Sequence, residues 1–377
     1  MAPPVVDDEV EDVRLTVTPQ WKLIWWRFRK HRMAVVSGVV LIVLYVIALF
    51  ADLVAPQDPN EVNSRFRLAG ATPITFFDPD GQFTFWPGVN PLTVERDPET
   101  LRLKYVADTS SWYPIQIVAH GPTYKLWGVW EMDIHLLRLA PEAPDQTFFI
   151  LGTDRLGRDL FSRVIHGGRL SLSIGLVGVA LSLVLGILLG GISGYYGGWI
   201  DTVVQRVIEF LRSIPRIPLW LGLAAAVPPK WPVEYTYFAI TLILALIEWT
   251  RLARVVRGRF LSLREEDFVL AARLSGARER RIIFRHMLPS FTSHIIAHST
   301  LAIPSTILGE TTLSFLGLGL REPAISWGVL LQDAQNVQAV ALSPWLMLPA
   351  LPLILTIMAF NFVGDGLRDA ADPYGGK

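Results

Sequence analysis

The stretch DFVLAARLSGARERRIIFRHMLP, Asp267 to Pro289, holds five arginines, two adjacent alanines, one glycine and a closing proline, and long apolar runs flank it on both sides. Why a chain this apolar places an arginine-rich element there decides the fold. The segment LREEDFVLAARLSGA, Leu263 to Ala277, is made of good helix formers. Phe268, Ala271, Ala272 and Ser275 fall three or four apart and share one small, mildly apolar face. Glu265 and Glu266 crowd the first turn, where acids suit the helix dipole. Gly276 interrupts the helix. ARERRIIFRHML, Ala277 to Leu288, forms a second short helix, and Pro289 marks entry into the next apolar run. A helix lying on lipid wants bulky apolar residues on its buried face. Small residues on an exposed helix instead invite a partner that docks close to the backbone.

The flanking runs are membrane spans. The chain has 377 residues, 51% of them hydrophobic and 18% charged, against about 25% charged in a typical soluble domain. Met33 to Ala51 is a run of 19 uncharged, almost wholly apolar residues. At the helical rise it covers about 28 Å, close to one hydrocarbon core. A second span covers Ser171 to Tyr195, where Gly186, Gly190, Gly194 and Gly198 recur every fourth residue and predict a close-packing face. The third, about 205 to 227, is broken or tilted by Pro215 and Pro218. The fourth runs from about Tyr235 to Thr250, the fifth from Phe291 to Phe315, and the sixth from Pro344 to Val363. The expected fold class is therefore an all-α polytopic membrane protein with six transmembrane helices and a small mixed, β-rich extracytoplasmic insertion.

Charge sets the expected orientation. Ten arginines lie between Arg251 and Arg285, whereas Lys230 alone stands between spans 3 and 4 and Arg321 alone between spans 5 and 6. The positive-inside bias puts the 258–289 loop and both termini in the cytoplasm. Residues 1–20 form an acidic tail. Residues 21–32, WKLIWWRFRKHR, form an interfacial helix before span 1 (33–51). Residues 52–150, rich in turn signals and short alternating pieces, form the external insertion. The helical core occupies 151–367, and 368–377 is a cytoplasmic tail.

Polar residues inside spans are functional suspects. Glu209, Arg212, Glu248, His298 and Glu310 are the candidates for lining a path. Glu209 and Arg212, three apart, can pair with each other. His294 and His298 share a helix face at i, i+4, but no third ligand accompanies them, so interhelical hydrogen bonding is the expectation and a metal site is not. No residues are assigned to catalysis: Asp154, Arg155, Arg158 and Asp159 form a polar turn and not a nucleophile–base set. With no cysteine, thiolate chemistry is excluded.

The opening stretch resembles the cytoplasmic loop of the inner-membrane permease subunits of binding-protein-dependent ABC importers, in the dipeptide/oligopeptide/nickel group. That loop has the form Glu-Ala-Ala, three residues, Gly, nine residues, an apolar residue, any residue, Leu-Pro. Ala271, Ala272, Gly276, Leu288 and Pro289 match it; Leu270 stands for the glutamate and His286 for the apolar residue. LGTDRLGRDLFSRVIHGGRLSLSIG (Leu151 to Gly175), GYYGGWID (Gly194 to Asp201), ILGETTLSFLGLGLREPAISWGVLLQDA (Ile307 to Ala334) and NFVGDGLRDAADP (Asn361 to Pro373) look like other segments of the same group.

The resemblance implies a transport subunit of the bacterial inner membrane that is not itself an enzyme. Its 264–286 loop would dock on a separate ATPase, with Glu265, Glu266, Ala271, Ala272, Gly276 and Pro289 as contact residues. The chain lacks a GxxxxGK[ST] phosphate loop, so ATP and Mg2+ are expected on one or two partner ATPases and no cofactor on this chain. Other implied partners are a second permease subunit, an extracytoplasmic solute-binding protein and membrane lipid, with no nucleic acid. Peptides are the expected cargo; nickel, an oligosaccharide or another small polar solute is the alternative. An ion-coupled secondary transporter would show repeats and midplane discontinuous helices, and six spans with one large loop argue against it.

Overall fold

The computed structural model describes residues 20–96, 98, 103–143 and 148–371. Most of the acidic N-terminal stretch and the last six residues of the chain lie outside them. The helices are α1 (Gln20–Lys30), α2 (Arg32–Leu49), α3 (Leu160–Tyr196), α4 (Gly198–Ser213), α5 (Arg216–Ala225), α6 (Val233–Leu263), α7 (Asp267–Leu274), α8 (Thr292–Phe315), α9 (Trp327–Gln332), α10 (Val337–Leu342) and α11 (Ala350–Ala371). Between α2 and α3 stand six strands: β1 (Ile74–Phe77), β2 (Phe83–Val89), β3 (Leu92–Arg96), β4 (Leu103–Ala107), β5 (Tyr113–Leu126) and β6 (Trp130–Leu139).

Helix α2 shows why these runs need lipid. Its inner stripe, Ala34, Ser37, Leu41 and Ala48, is buried, while Val36, Val39, Ile42, Val43 and Val46 are exposed along the rest. Apolar surface of that extent is costly in water and costs nothing against acyl chains. The buried side of α2 joins Leu172 and Val179 of α3, Ile303 and Ile307 of α8, and Leu353 and Phe360 of α11 in one core cluster. Helix α1 folds back on the end of α11, where Phe28, Ala34 and Ala370 pack together. Its Trp25 and Trp26 stay exposed, beside Arg27, Arg29 and Lys30 in its last turn.

The glycine face of α3 packs on α6. A Cβ on Gly190 would sit 2.8 Å from the Ala253 Cα, and one on Gly194 would sit 3.0 Å from the Arg257 Cα and 2.7 Å from the Phe260 Cβ. On Gly186 it would strike Leu252 at 2.9 Å. With little hydrophobic drive between helices in lipid, this close backbone approach is what collects the dispersion energy. Gly198 does not belong to the face. It lies beyond the end of α3 with φ +58, and a Cβ there meets nothing within 4 Å. Its place in the period of four is broken by Gly197, which ends α3 at φ +67.

Among the described residues three helices are both long and apolar enough to cross a membrane: Arg32–Leu49, Leu160–Tyr196 and Pro344–Ala371, the last including the 3-10 turn ahead of α11. Six spans are expected from the sequence; three of them are identified on length and composition. Helix α6 carries Glu234 and Glu248, and α8 carries two histidines, Glu310 and a series of serines and threonines. The expected third span is divided into α4 and α5 at Ile214 and Pro215, both in extended conformation. Proline supplies no N–H and forces its predecessor out of the helical region. Helix α6 also runs on to Leu263, past Thr250, with Leu252, Ala253, Val256 and Phe260 as a buried stripe.

The insertion holds an antiparallel sheet in the order β1-β2-β5-β6 and a β3-β4 hairpin. Its core is small: Val89, Ile115, Leu139, Ala143 and Phe148. The insertion is tied to the helices through Asp52, just after α2. Its carboxylate accepts from Arg169 at 2.6 and 3.1 Å and lies 3.0 Å from His166 Nε2. Burial opposes ionisation of Asp52, but these bonds from His166 and Arg169 win and bring its pKa down to about 2.

Candidate functional site

The 264–289 loop is built from a helix, a stop and an irregular second helix. Helix α7 starts after Glu266, whose carbonyl accepts from Val269 N at 3.0 Å and Leu270 N at 3.1 Å. It ends in a Schellman motif: Ala277 N donates to Ala272 O at 3.0 Å and Gly276 N to Arg273 O at 2.9 Å. The motif needs a left-handed residue at Gly276, where φ is +73, and that conformation costs a side-chain-bearing residue about 1–2 kcal/mol. Past the stop, the backbone passes through a π stretch, Ile282–Met287, and a 3-10 turn, Leu288–Phe291, into α8. Pro289 lies in that 3-10 turn, where its missing N–H and ring crowding disfavour regular α-helix.

One side of the loop is anchored. Val269 is fully buried with Phe260, Ile282, Met287 and Phe291. Ala272 is half-buried on the same side, so it does not share the outward face expected of Phe268, Ala271 and Ser275. The reason is rotation: Val269 and Ala272, three apart, form the inner stripe. Phe268, Ala271, Leu274, Ser275 and Gly276 are exposed, Leu274 by 90%. Glu265 and Glu266 are exposed too, and Glu265 makes a loose 3.5 Å pair with Arg264.

The end of α3 grips this loop, a connection not evident from the sequence. Arg273 lies over the Tyr195 ring at 5.2 Å. Tyr196 donates its hydroxyl proton to Glu279 at 2.7 Å. Nearby, Arg257 of α6 binds Asp201 of α4 through both Nε and Nη2 at 2.5 Å. The hydrogen bond from Arg257, followed by the one from Ser193, holds the Asp201 carboxyl below its usual range against the opposing effect of burial.

The candidate path residues separate into three groups. Glu209 pairs with Arg206 at 2.9 Å, both exposed, in place of the expected Glu209–Arg212 pair. Both spacings suit a helix, but Arg212 stands in the last turn of α4, beside the break. There it lines a groove of about 360 Å3 with Leu211, Pro215, Arg216, Glu248 and Arg251. Glu248 is buried and accepts from Arg216 at 2.8 Å and Ser305 at 3.3 Å. His298 lies within the electrostatic range of Arg251 and Glu248.

Glu310, wholly buried, forms the third group. It accepts from Ser314 at 2.8 Å and Ser326 at 2.7 Å, with Ser171 at 3.4 Å. Ser326 also caps α9 through Val329 N, and Ser171 accepts from Trp327 N. One carboxyl group thus ties α3, α8 and α9 together. Sequence spacing identifies Ser314 as a neighbour one turn away, but not Ser171 or Ser326. Among the described residues no cluster of three or more His, Cys, Asp and Glu is gathered as a metal site.

A second ion cluster stands at the N-terminal end of α3. Arg158 binds Asp154 at 2.6 Å and Glu322 at 2.5 Å, and Arg163 lies 3.3 Å from Asp154 and 3.0 Å from Glu322. Beside it Asp159 caps α3, accepting from Ser162 N at 2.8 Å and Ser162 Oγ at 2.6 Å. Burial pushes its pKa up to about 6 in spite of those bonds.

Comparison with known proteins completes the description. Residues 186–374 match the family described as binding-protein-dependent transport system inner membrane component. Residues 19–71 match the N-terminal TM domain of oligopeptide transport permease C. The chain is 41% identical over 244 residues to the oligopeptide transport system permease protein OppC of Haemophilus influenzae, covering 64% of this chain and 75% of that one. It is 40% identical to the dipeptide transport system permease protein DppC of Alkalihalophilus pseudofirmus, over 59% of this chain and 71% of that one. Among solved structures, inward-facing conformations of the MetNI methionine ABC transporter align with a TM-score of 0.42 at 18% identity, over 56% of this chain and 97% of that chain.

Proposed function

The chain belongs to the family of binding-protein-dependent transport system inner membrane components, and from that membership we propose that it forms half of a translocation path for di- and oligopeptides. It is a multi-pass inner-membrane permease subunit of the peptide type, which works with an ATPase and an extracytoplasmic binding protein. A second permease subunit supplies the other half of the path. The broken pair α4–α5, together with α6 and α8, brings the spans to six, with both termini and the 264–289 loop in the cytoplasm. The insertion faces the binding protein or the channel mouth; its exposed Phe76, Phe77, Phe83 and Phe85 support a docking role. Glu310 serves as a scaffold in this reading, and the Arg212–Glu248 groove as part of the path.

The observation that carries the coupling role is the asymmetry of α7. Val269 and Ala272 hold it to the core, while Phe268, Ala271, Leu274 and Ser275 project without cover. An ATPase that grips this face moves the end of α3 directly, through the Arg273–Tyr195 and Glu279–Tyr196 contacts. The test uses the full importer in proteoliposomes with labelled tripeptide. Ala271→Glu is expected to abolish ATPase co-purification and uptake while membrane insertion stays normal. Full co-purification with this variant would overturn the docking face.

A further inference from the structure

The groove at the break between α4 and α5 has an excess of positive charge that its own residues do not neutralise. Arg216 is accounted for: it is spent on Glu248 and Ser305, and its guanidinium lies over Trp220 at 5.9 Å. Arg212 and Arg251 line the same groove, and neither has an ion-pair partner among the described residues. Both are exposed to the groove side of the molecule. The local sum is three guanidiniums against one carboxylate. Thr250 does not change this balance, since its hydroxyl is committed to Ile247 O at 2.8 Å.

The backbone adds to the same polarity. Helix α5 begins at Arg216 with no side-chain cap on its first N–H groups, so its positive dipole end opens beside the groove. Two unpaired guanidiniums, each with a planar fork of N–H donors, suit a planar carboxylate better than a spherical or uncharged solute. The groove, at about 360 Å3, is large enough for a terminal residue and too small for an entire oligopeptide.

We propose that this groove takes the C-terminal carboxylate of the transported peptide, with Arg212 and Arg251 as its two ligands. Glu248 keeps Arg216 occupied and leaves the other two available. The proposal rests on the peptide reading given above and adds the end of the peptide that this subunit reads.

The test is equilibrium dialysis of labelled trialanine and its C-terminal amide against the purified importer complex without binding protein. Wild type is expected to hold the free acid about tenfold more tightly than the amide, the scale of one lost charge-assisted hydrogen-bond pair. Arg212→Gln and Arg251→Gln should each bring the ratio near one, and Arg251→Lys should restore part of it. Assembly of each variant is checked by subunit stoichiometry. A wild-type ratio near one, or a ratio that survives in both glutamine variants, overturns the carboxylate site while leaving the peptide reading intact. Loss of the subunit complex in the glutamine variants overturns it also, since the arginines would then serve the partner interface. Failure of wild type to hold either peptide, while a different solute binds, would count against the peptide reading itself.

Discussion

Two regions of this molecule are built from small residues, and they use them for opposite ends. In the α3–α6 seam, Gly190 and Gly194 lie against the backbone of the neighbouring helix. In the α7 loop, Gly276 has open space around it and Ala271 is exposed. The seam residues are explained wholly by contacts inside the chain. Gly276 is explained by its backbone angle, and Ala271 by nothing among the described residues. In the docking reading proposed above, the same composition signals packing in one place and an outside partner in the other, and only the neighbours distinguish them.

The largest effect should come from filling the seam. Gly190→Val places methyl groups where Ala253 backbone already stands and is expected to cost about 3 kcal/mol or more through helix separation. A thermal unfolding midpoint in detergent equal to that of wild type would show that the seam is looser than described. Next comes the N-terminal end of the same helix, where Asp159 is buried with its pKa raised to about 6. The native state then binds the extra proton between about pH 4 and 6, so stability falls as pH rises through that window and levels off above it. The total loss across the window is about 3 kcal/mol. Asp159→Asn should remove it; a loss that persists would assign the titration to another group.

Gly276 gives a smaller and more selective test. Valine there should cost about 1–2 kcal/mol locally, with the seam untouched and ATPase association weakened. Asparagine tolerates the left-handed conformation and should recover the helix stop. If Gly276→Asn recovers loop protection in hydrogen exchange but not ATPase association, the missing side chain itself matters for docking. Smallest of all should be Glu209→Ala, which removes an exposed pair with Arg206 and should shift stability by less than about 0.5 kcal/mol.

The parts of this structure that sequence makes legible are those set by neighbours along the chain. The apolar run at α2, the glycine period of α3 and the break at Pro215 follow from periodicity and backbone sterics. The continuation of α6 past Thr250 could also have been found, since Leu252, Ala253, Val256 and Phe260 keep helical spacing among the arginines. The inward turn of Ala272 was hidden because Val269, not Phe268, sets the buried stripe. The serines around Glu310 were hidden for a different reason. Ser171 stands 139 residues away, and no local pattern specifies that meeting. The same holds for the Arg273–Tyr195 and Arg257–Asp201 contacts, which join segments distant in the chain.

In the six-span reading proposed above, the Glu310 hub has a consequence for biogenesis. Of its three serine donors, only Ser314 travels with it on α8. Ser171 arrives on an earlier helix and Ser326 on a segment synthesised afterwards. As α8 leaves the translocon, its acid therefore lacks two of its final partners. Lateral release into hydrocarbon at that moment would leave the group under-satisfied. Docking against α3 supplies the second donor, and emergence of Ser326 supplies the third. The order of synthesis thus becomes an order of assembly, with α8 kept near α3 until the chain beyond it is made.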